Sequence, residues 1–209
     1  MFSKLQYISQ GTTSKEQYKN IQQSLDAGCQ WVQLRFKNAS YKDIITLSEQ
    51  VKKLCEDYAT TFIINDHVLI AKEIDADGIH LGLQDMSITE AKKVVGNMII
   101  GGTANTLTDV LQRSKEGCSY IGLGPFRFTT TKEKLSPILG LEGYKSIMNE
   151  LSILQIKIPI YAIGGIVLED VADIRQTGVY GVAASGIITH HSMKKTLIQQ
   201  LNTLLYETI

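Results

Sequence analysis

Short apolar runs alternate with longer amphipathic stretches along the whole chain, and this alternation constrains the fold more than any other feature. Eight strands are predicted: Leu5–Ile8, Trp31–Arg35, Thr61–Asn65, Gly78–Leu81, Met98–Gly102, Tyr120–Gly124, Ile158–Gly164 and Gly181–Ser185. Helices are predicted at Ser14–Ala27, Tyr41–Tyr58, a short one near His67–Ile74, Thr89–Val95, Thr106–Glu116, Leu141–Leu151, Glu169–Thr177 and Ser192–Tyr206. Ser14 with Gln17 has the spacing of a capping box. Gly28, Gly117 and Gly178 stand just past helices, where positive φ is favoured. Strands that alternate with helices pair in parallel through helical crossovers. Sharing 209 residues among eight units leaves about 26 each, enough for a (β/α)8 TIM barrel. A doubly wound open sheet has the same local pattern. The strand count favours the barrel, and so does "SQGTTS", which stands where a dinucleotide-binding G-x-G-x-x-G would follow the first strand. No Pro/Ser-rich linker or low-complexity tract interrupts the pattern, so residues 1–209 read as a single barrel domain.

Composition narrows the function classes. Twenty-one basic and 21 acidic residues cancel, so no global field draws the chain to nucleic acid or to an anionic membrane. Three widely spaced cysteines without a C-x-x-C argue against a disulfide framework or a structural zinc site. "MFSKLQYISQ" lacks the apolar core of a signal peptide, and no apolar run is long enough to span a bilayer. Cytoplasmic residence is the expectation, with small-molecule substrates as partners and a homo-oligomeric state left open.

In a parallel barrel the active site gathers at the carboxyl ends of the strands. Those ends are polar or glycine-rich almost throughout. Strand two ends "QLRFK", and alternation places Gln33, Arg35 and Lys37 on one side. Two cations and an amide can grip a polyanion, although a solvated edge strand would show the same residues. Strand three ends at Asn65-Asp66, strand four leads to Gln84-Asp85, and strand five leads to Thr103. Asp66 and Asp85 suit Mg2+, which takes a few carboxylates and completes its shell with phosphate oxygens and water. Either acid alone also suits a helix cap or turn. His67 and His80 are too far apart in sequence, and too short of thiol partners, for a zinc site, so structural or solvent roles are expected. His190-His191 reads as a solvated helix start. Strand six leads into "FTTTK", with Thr129, Thr131 and Lys132 in a hydroxyl-rich loop suited to phosphate. "AIGGI" and then "ASGI" place Gly165, Ser185 and Gly186 after the last two strands, where barrels often hold a phosphate on backbone N–H groups.

"WVQLRFK", "FIINDHVLIAKEIDADGIHLGLQDM", "YIGLGPFRFTTTK" and "PIYAIGGI", in that order and over nearly the whole chain, resemble thiamine-phosphate synthase. The family is a (β/α)8 barrel that joins a hydroxymethylpyrimidine diphosphate to a thiazole phosphate, giving thiamine phosphate and pyrophosphate. The resemblance implies that Gln33, Arg35, Lys37 and Asn65 hold the pyrimidine substrate. It implies that Asp66 and Asp85 ligate Mg2+ and that Thr103 keeps a hydroxyl where many relatives have Ser. Thr129 and Thr131 would contact the thiazole phosphate, Lys132 the pyrophosphate, and Gly165, Ser185 and Gly186 the thiazole's phosphate. Arg35, Lys37 and Lys132 would act catalytically by stabilising the leaving group. Two departures stand out: Ser185-Gly186 moves the family's hydroxyl by one place, and Asn105 stands where relatives often have His. Rival readings are a thiazole tautomerase on the same barrel, which needs no metal–pyrophosphate site, and a non-catalytic barrel that binds thiamine intermediates.

Overall fold

The computed structural model describes residues 2–128 and 137–207. Its strands are β1 (Leu5–Ile8), β2 (Trp31–Leu34), β3 (Thr61–Asn65), β4 (Gly78–Leu81), β5 (Ile99–Ala104), β6 (Tyr120–Leu123), β7 (Ile160–Ile163) and β8 (Gly181–Ala184). Each pairs in parallel with its sequence neighbours, and β8 returns to β1, so the sheet closes into a barrel. The intervening helices are α1 (Ser14–Asp26), α2 (Tyr41–Asp57), α3 (Val68–Glu73), α4 (Ile88–Val95), α5 (Leu107–Glu116), α6 (Gly140–Ile153) and α7 (Val171–Gln176), the last preceded by a 3-10 turn at Leu168–Asp170. After β8 come α8 (Gly186–Thr189) and α9 (Lys194–Tyr206). The predicted (β/α)8 barrel is therefore the fold. The single C-terminal helix expected after strand eight is two, because the four-residue α8 is too short to show a helical period.

Local sequence explains most helix starts. Ser87 and Thr106 form capping boxes with Glu90 and Asp109. The α1 cap is Thr13, one residue before the expected Ser14, and its hydroxyl accepts from the Glu16 N–H. Gln17 does not close a box; its buried amide donates to the carbonyls of Gly11 and Arg35, tying α1 to the end of β2. Gly28, Gly117 and Gly178 have φ of 98°, 75° and 92°, as their places past helices required.

Period-two alternation separates two packing environments. Outward residues such as Val32, Leu34, Phe62, Ile64, Ile79 and Leu81 pack under the helices. Inward residues Trp31, Ile63, Tyr120, Tyr161 and Ala183 fill the bore, joined by Phe2, Ile99 and Ile163. The rings interlock: Trp31 lies 4.8 Å from Tyr120 and 5.1 Å from Tyr161, both edge-on, and Phe2 stacks on Trp31 at 5.0 Å. A ring as large as Tyr120 needs an absent side chain opposite. Gly101 supplies it, since a Cβ there would sit 2.2 Å from the Tyr120 Cζ.

That close approach gives a test of the filled bore. Gly101→Ala is expected to destabilise the fold by about 1–3 kcal/mol through overpacking, read from the urea midpoint. An unchanged midpoint would show that the aromatic plug has slack.

Candidate active site

The polar strand ends meet on the carboxyl rim, above the aromatic plug. Gln33 faces inward from β2 with Trp31 one layer below, and its Nε2 donates to Asn65 Oδ1 at 2.8 Å. Its buried Oε1 has no hydrogen-bond partner among the described residues, which marks an acceptor left for a ligand. The chain beyond β2 is anchored through its backbone: Arg35 N–H donates to Ser9 Oγ at 2.9 Å, and Arg35 C=O accepts from Gln17. The guanidinium of half-buried Arg35 is thus carried on a segment fixed from both sides.

Asp66 turns the chain at the end of β3. Its φ of 65° lies in the left-handed region that Asp tolerates better than most residues, and its N–H donates to His80 C=O at 2.9 Å. Lys37 Nζ lies 3.4 Å from Asp66 Oδ2. Asp85, after β4, is held by Gly82 N–H, which donates to its Oδ2 at 2.6 Å. The two carboxyls lie within hydrogen-bond reach of each other. Burial, then the hydrogen bond and charge of Asp85, push the Asp66 carboxyl up to about 6, against the opposing charge of Lys37. Burial works to raise Asp85 too, yet hydrogen bonds from Asp66 and Gly82 and the charges of Lys37 and His80 hold it below the usual carboxylate range. The pair therefore tends to share a proton. A cleft of about 180 Å³ opens beside it, lined by Phe36, Lys37, Asn65, Asp66 and His67. A larger recess of about 460 Å³, lined by Tyr18, Lys53, Leu54 and Asp57, lies on the outer face of α1 and α2, where no expected site residue stands.

Among the described residues no group of three or more His, Cys, Asp or Glu gathers to hold a metal. Two adjacent carboxylates alone suit a hard cation that takes its other ligands from a phosphorylated substrate and water. That cation would also relieve the repulsion between them.

Across the mouth, Gly164 and Gly165 turn with φ of 92° and 70°. A Cβ on Gly165 would meet Arg127 Cγ at 2.4 Å, because the segment after β6 packs directly on this turn. Arg127 spans the contact, donating to Gly165 C=O at 3.2 Å and to Asp170 at 2.7 Å. Ser185 donates its hydroxyl to Ile8 C=O at 2.6 Å, so the side chain is engaged in holding β8 to β1. What remains near Gly186 for a ligand is backbone at the start of α8. Thr103 lies deeper, 7% exposed, with Oγ1 3.0 Å from His80 Nε2. The structure brings Gln33, Lys37, Asn65, Asp66 and Asp85 together and sets Gly165, Ser185 and Gly186 at the ends of β7 and β8. Thr129, Thr131 and Lys132 lie outside the described residues.

Two supporting residues, Arg113 and Arg127, escaped the sequence reading, whereas His80 was expected in a structural role and has buried partners in Tyr120 and Thr103. Arg113 is 5% exposed, donating to the carbonyls of Thr103 and Gly82 at 3.2 and 2.9 Å and so bracing the ends of β4 and β5. On sequence it is one more basic residue near a helix C-terminus. His80 spans the bore, and Arg127 links the loops after β6 and β7. His190, read as a helix start, instead ends α8, with Nε2 3.1 Å from Gln10 Oε1.

The carboxylate pair carries a pH signature. Asp66 ionises near 6 in the folded chain and near 3.8 when unfolded, so its term favours folding below 3.8 and is lost as pH rises through about 6. In metal-free protein, Asp66→Asn is expected to raise the melting temperature at neutral pH, with an advantage that shrinks as pH falls from about 6 toward 3.8. A pH-independent difference would show that folding does not raise the Asp66 carboxyl.

Comparison with known proteins gives the family. The family model described as thiamine monophosphate synthase matches residues 5–188. The thiamine-phosphate synthase of Flavobacterium psychrophilum is 59% identical over 203 residues, covering 97% of this chain and 98% of the relative. That of Flavobacterium johnsoniae is 56% identical over 210 residues, covering 100% and 99%. The solved thiamine phosphate pyrophosphorylase from Pyrococcus furiosus superposes with a TM-score of 0.85 at 29% identity, covering 97% of this chain and 95% of that one. A closed parallel barrel with paired acids, a cation and an amide pair on its carboxyl rim, matched at this identity over its full length, belongs to the thiamine monophosphate synthase family.

Proposed function

We propose that this chain joins 4-amino-2-methyl-5-(diphosphooxymethyl)pyrimidine to a thiazole phosphate, releasing pyrophosphate, by dissociative substitution at the pyrimidine methylene. The reaction is that of thiamine-phosphate synthase, a transferase, and membership of the family carries it. The residue roles rest on one observation above all: Lys37, Asp66 and Asp85 converge beside the Gln33–Asn65 pair at a cleft on the carboxyl rim.

The pyrimidine's electron-rich ring stabilises a cation at its exocyclic methylene once pyrophosphate departs. The thiazole nitrogen then attacks that carbon, so no side-chain nucleophile is needed. In this reading Gln33 and Asn65 orient the pyrimidine diphosphate while Arg35, Lys37 and Lys132 neutralise the leaving group. Asp66 and Asp85 would hold Mg2+, which when bound screens the charge that builds on pyrophosphate. Thr129 and Thr131 would steady the thiazole partner. Gly165, Ser185 and Gly186 would receive its phosphate on backbone N–H groups, since the Ser185 hydroxyl is engaged elsewhere. Positioning and preorganised charge then supply the rate.

The tautomerase alternative requires an acid–base group near Asn105. That amide is 5% exposed and donates to Gly124 C=O, a structural use with no proton to exchange. Retention of both acids also separates the chain from a barrel that merely binds thiamine intermediates.

The same proposal includes a cytoplasmic setting, which fits three buried free cysteines. No helix among the described residues is long and apolar enough to cross a membrane. Exposed Leu69, Leu83 and Met86 would offer apolar surface to a homo-oligomer.

The test is pyrophosphate release with each substrate omitted in turn, with and without Mg2+. Release is expected only with both substrates and the ion. Asp66→Ala and Lys132→Ala are each expected to lower kcat by roughly a hundredfold, about 3 kcal/mol in the barrier, with the fold retained. Near-normal turnover in both variants would overturn these roles.

A further inference from the structure

The turn after β7 breaks a rule that the strand itself obeys. In a strand, successive carbonyls point to alternate neighbours. At Ile163, Gly164 and Gly165 all three carbonyls face the segment after β6. Phe126 N–H donates to Ile163 C=O at 2.8 Å, Arg127 N–H to Gly164 C=O at 3.1 Å, and Arg127 Nη1 to Gly165 C=O at 3.2 Å. Positive φ at both glycines, 92° and 70°, is what breaks the alternation. A trans peptide holds its C=O and its N–H on opposite sides. The N–H groups of Gly164, Gly165 and Ile166 therefore turn away from β6, to the side on which β7 pairs with β8. Among the described residues no acceptor meets the Gly165 or the Ile166 N–H. Successive N–H groups turned to one side form a concavity that takes an anion.

Two glycines alone do not hold this arrangement. A Gly-Gly peptide flips between conformers at little steric cost, and a flipped peptide would present a carbonyl to the anion instead. Arg127 opposes the flip. While Nη1 grips Gly165 C=O, Nη2 donates to Asp170 Oδ1 at 2.7 Å. Asp170 Oδ2 accepts from Val167 N–H at 2.8 Å, so the ion pair closes on the next corner of the same turn. The Asp170 side chain is 13% exposed, and the Phe126 ring lies 5.1 Å from the guanidinium carbon. Both terminal nitrogens of Arg127 thus have acceptors within the protein. Its charge acts through the peptide, because a carbonyl that accepts a charge-assisted bond makes the N–H of the same amide a stronger donor.

We propose that Arg127, anchored by Asp170, is a positioning residue for the second substrate: it locks the turn at 164–166 so that the Gly165 and Ile166 N–H groups face the phosphate of the thiazole. The identity of that phosphate rests on the synthase reading, whereas the orientation of the N–H groups rests on the fold alone.

Arg127→Met keeps an unbranched stem against Gly165 and removes the donors. It is expected to raise KM for the thiazole phosphate roughly tenfold, with kcat and the KM of the pyrimidine diphosphate within about twofold of the parent. With the unphosphorylated thiazole alcohol as second substrate, the variant and the parent should turn over alike. An equal loss on both thiazoles would overturn the role, because a general distortion of the rim does not distinguish them. Asp170→Asn supplies the sign. Loss of the anchor is expected to weaken thiazole phosphate binding about threefold, and tighter binding would overturn positioning in favour of direct pairing between a released Arg127 and the phosphate. Titration of the thiazole phosphate into ¹⁵N-labelled protein, followed by ¹H–¹⁵N NMR, is expected to move the Gly165 and Ile166 amide resonances. Amides that stay in place in a parent that releases pyrophosphate would overturn the cradle alone. Amides that move in a parent that releases none would overturn the reaction and uphold the cradle.

Discussion

Closure of eight parallel strands, each beside its neighbour in sequence, puts every strand's carboxyl end on one rim. The interior then divides by chemistry. Trp31, Tyr120 and Tyr161 plug the lower bore, where apolar area is buried and interlocked. The Gln6–Tyr120–His80–Thr103 chain and the Gln33–Asn65 pair carry hydrogen-bonding groups through the layers above. Charged side chains appear last, at the edge where water and ligand can reach them. The plug holds the strand ends in place, and the rim uses that rigidity to keep like charges together.

Holding Asp66 and Asp85 side by side works against folding, and so does the left-handed backbone at Asp66. Such costs are tolerated where a ligand offsets them. The neighbouring cations make sense in the same terms. A pyrophosphate and its ion bring both signs of charge, so in the proposed reading a rim with Lys37 beside paired acids would suit a metal–anion complex better than either component alone. This arrangement suits a reaction whose difficulty lies in losing a highly charged leaving group.

Much of this was legible in the sequence because it depends on local pattern. Alternation in Trp31–Leu34 separates inward Trp31 and Gln33 from outward Val32 and Leu34, and the handover at Asn65-Asp66 marks the top of β3. Other features depend on register between distant strands, which no local pattern reports. The engagement of Ser185 with Ile8, and of His80 with Thr103 and Tyr120, follows from which residues become neighbours once the barrel closes. Gln17 reads as a capping-box partner and Arg113 as one more basic residue near a helix end, and both are instead buried braces. The four-residue α8 left no periodic trace. Thr129, Thr131 and Lys132 stand on the family motif, outside the described residues.

A crystal soaked with Mn2+ and pyrophosphate would test the central claim most directly, because Mn2+ substitutes for Mg2+ and is located by its anomalous scattering. The account predicts one strong peak shared by Asp66 and Asp85, with the pyrophosphate bridging it to Arg35 and Lys37 on the carboxyl rim. Metal and anion lodged instead in the outer recess beside Tyr18 and Lys53, or at the opposite end of the barrel, would contradict it.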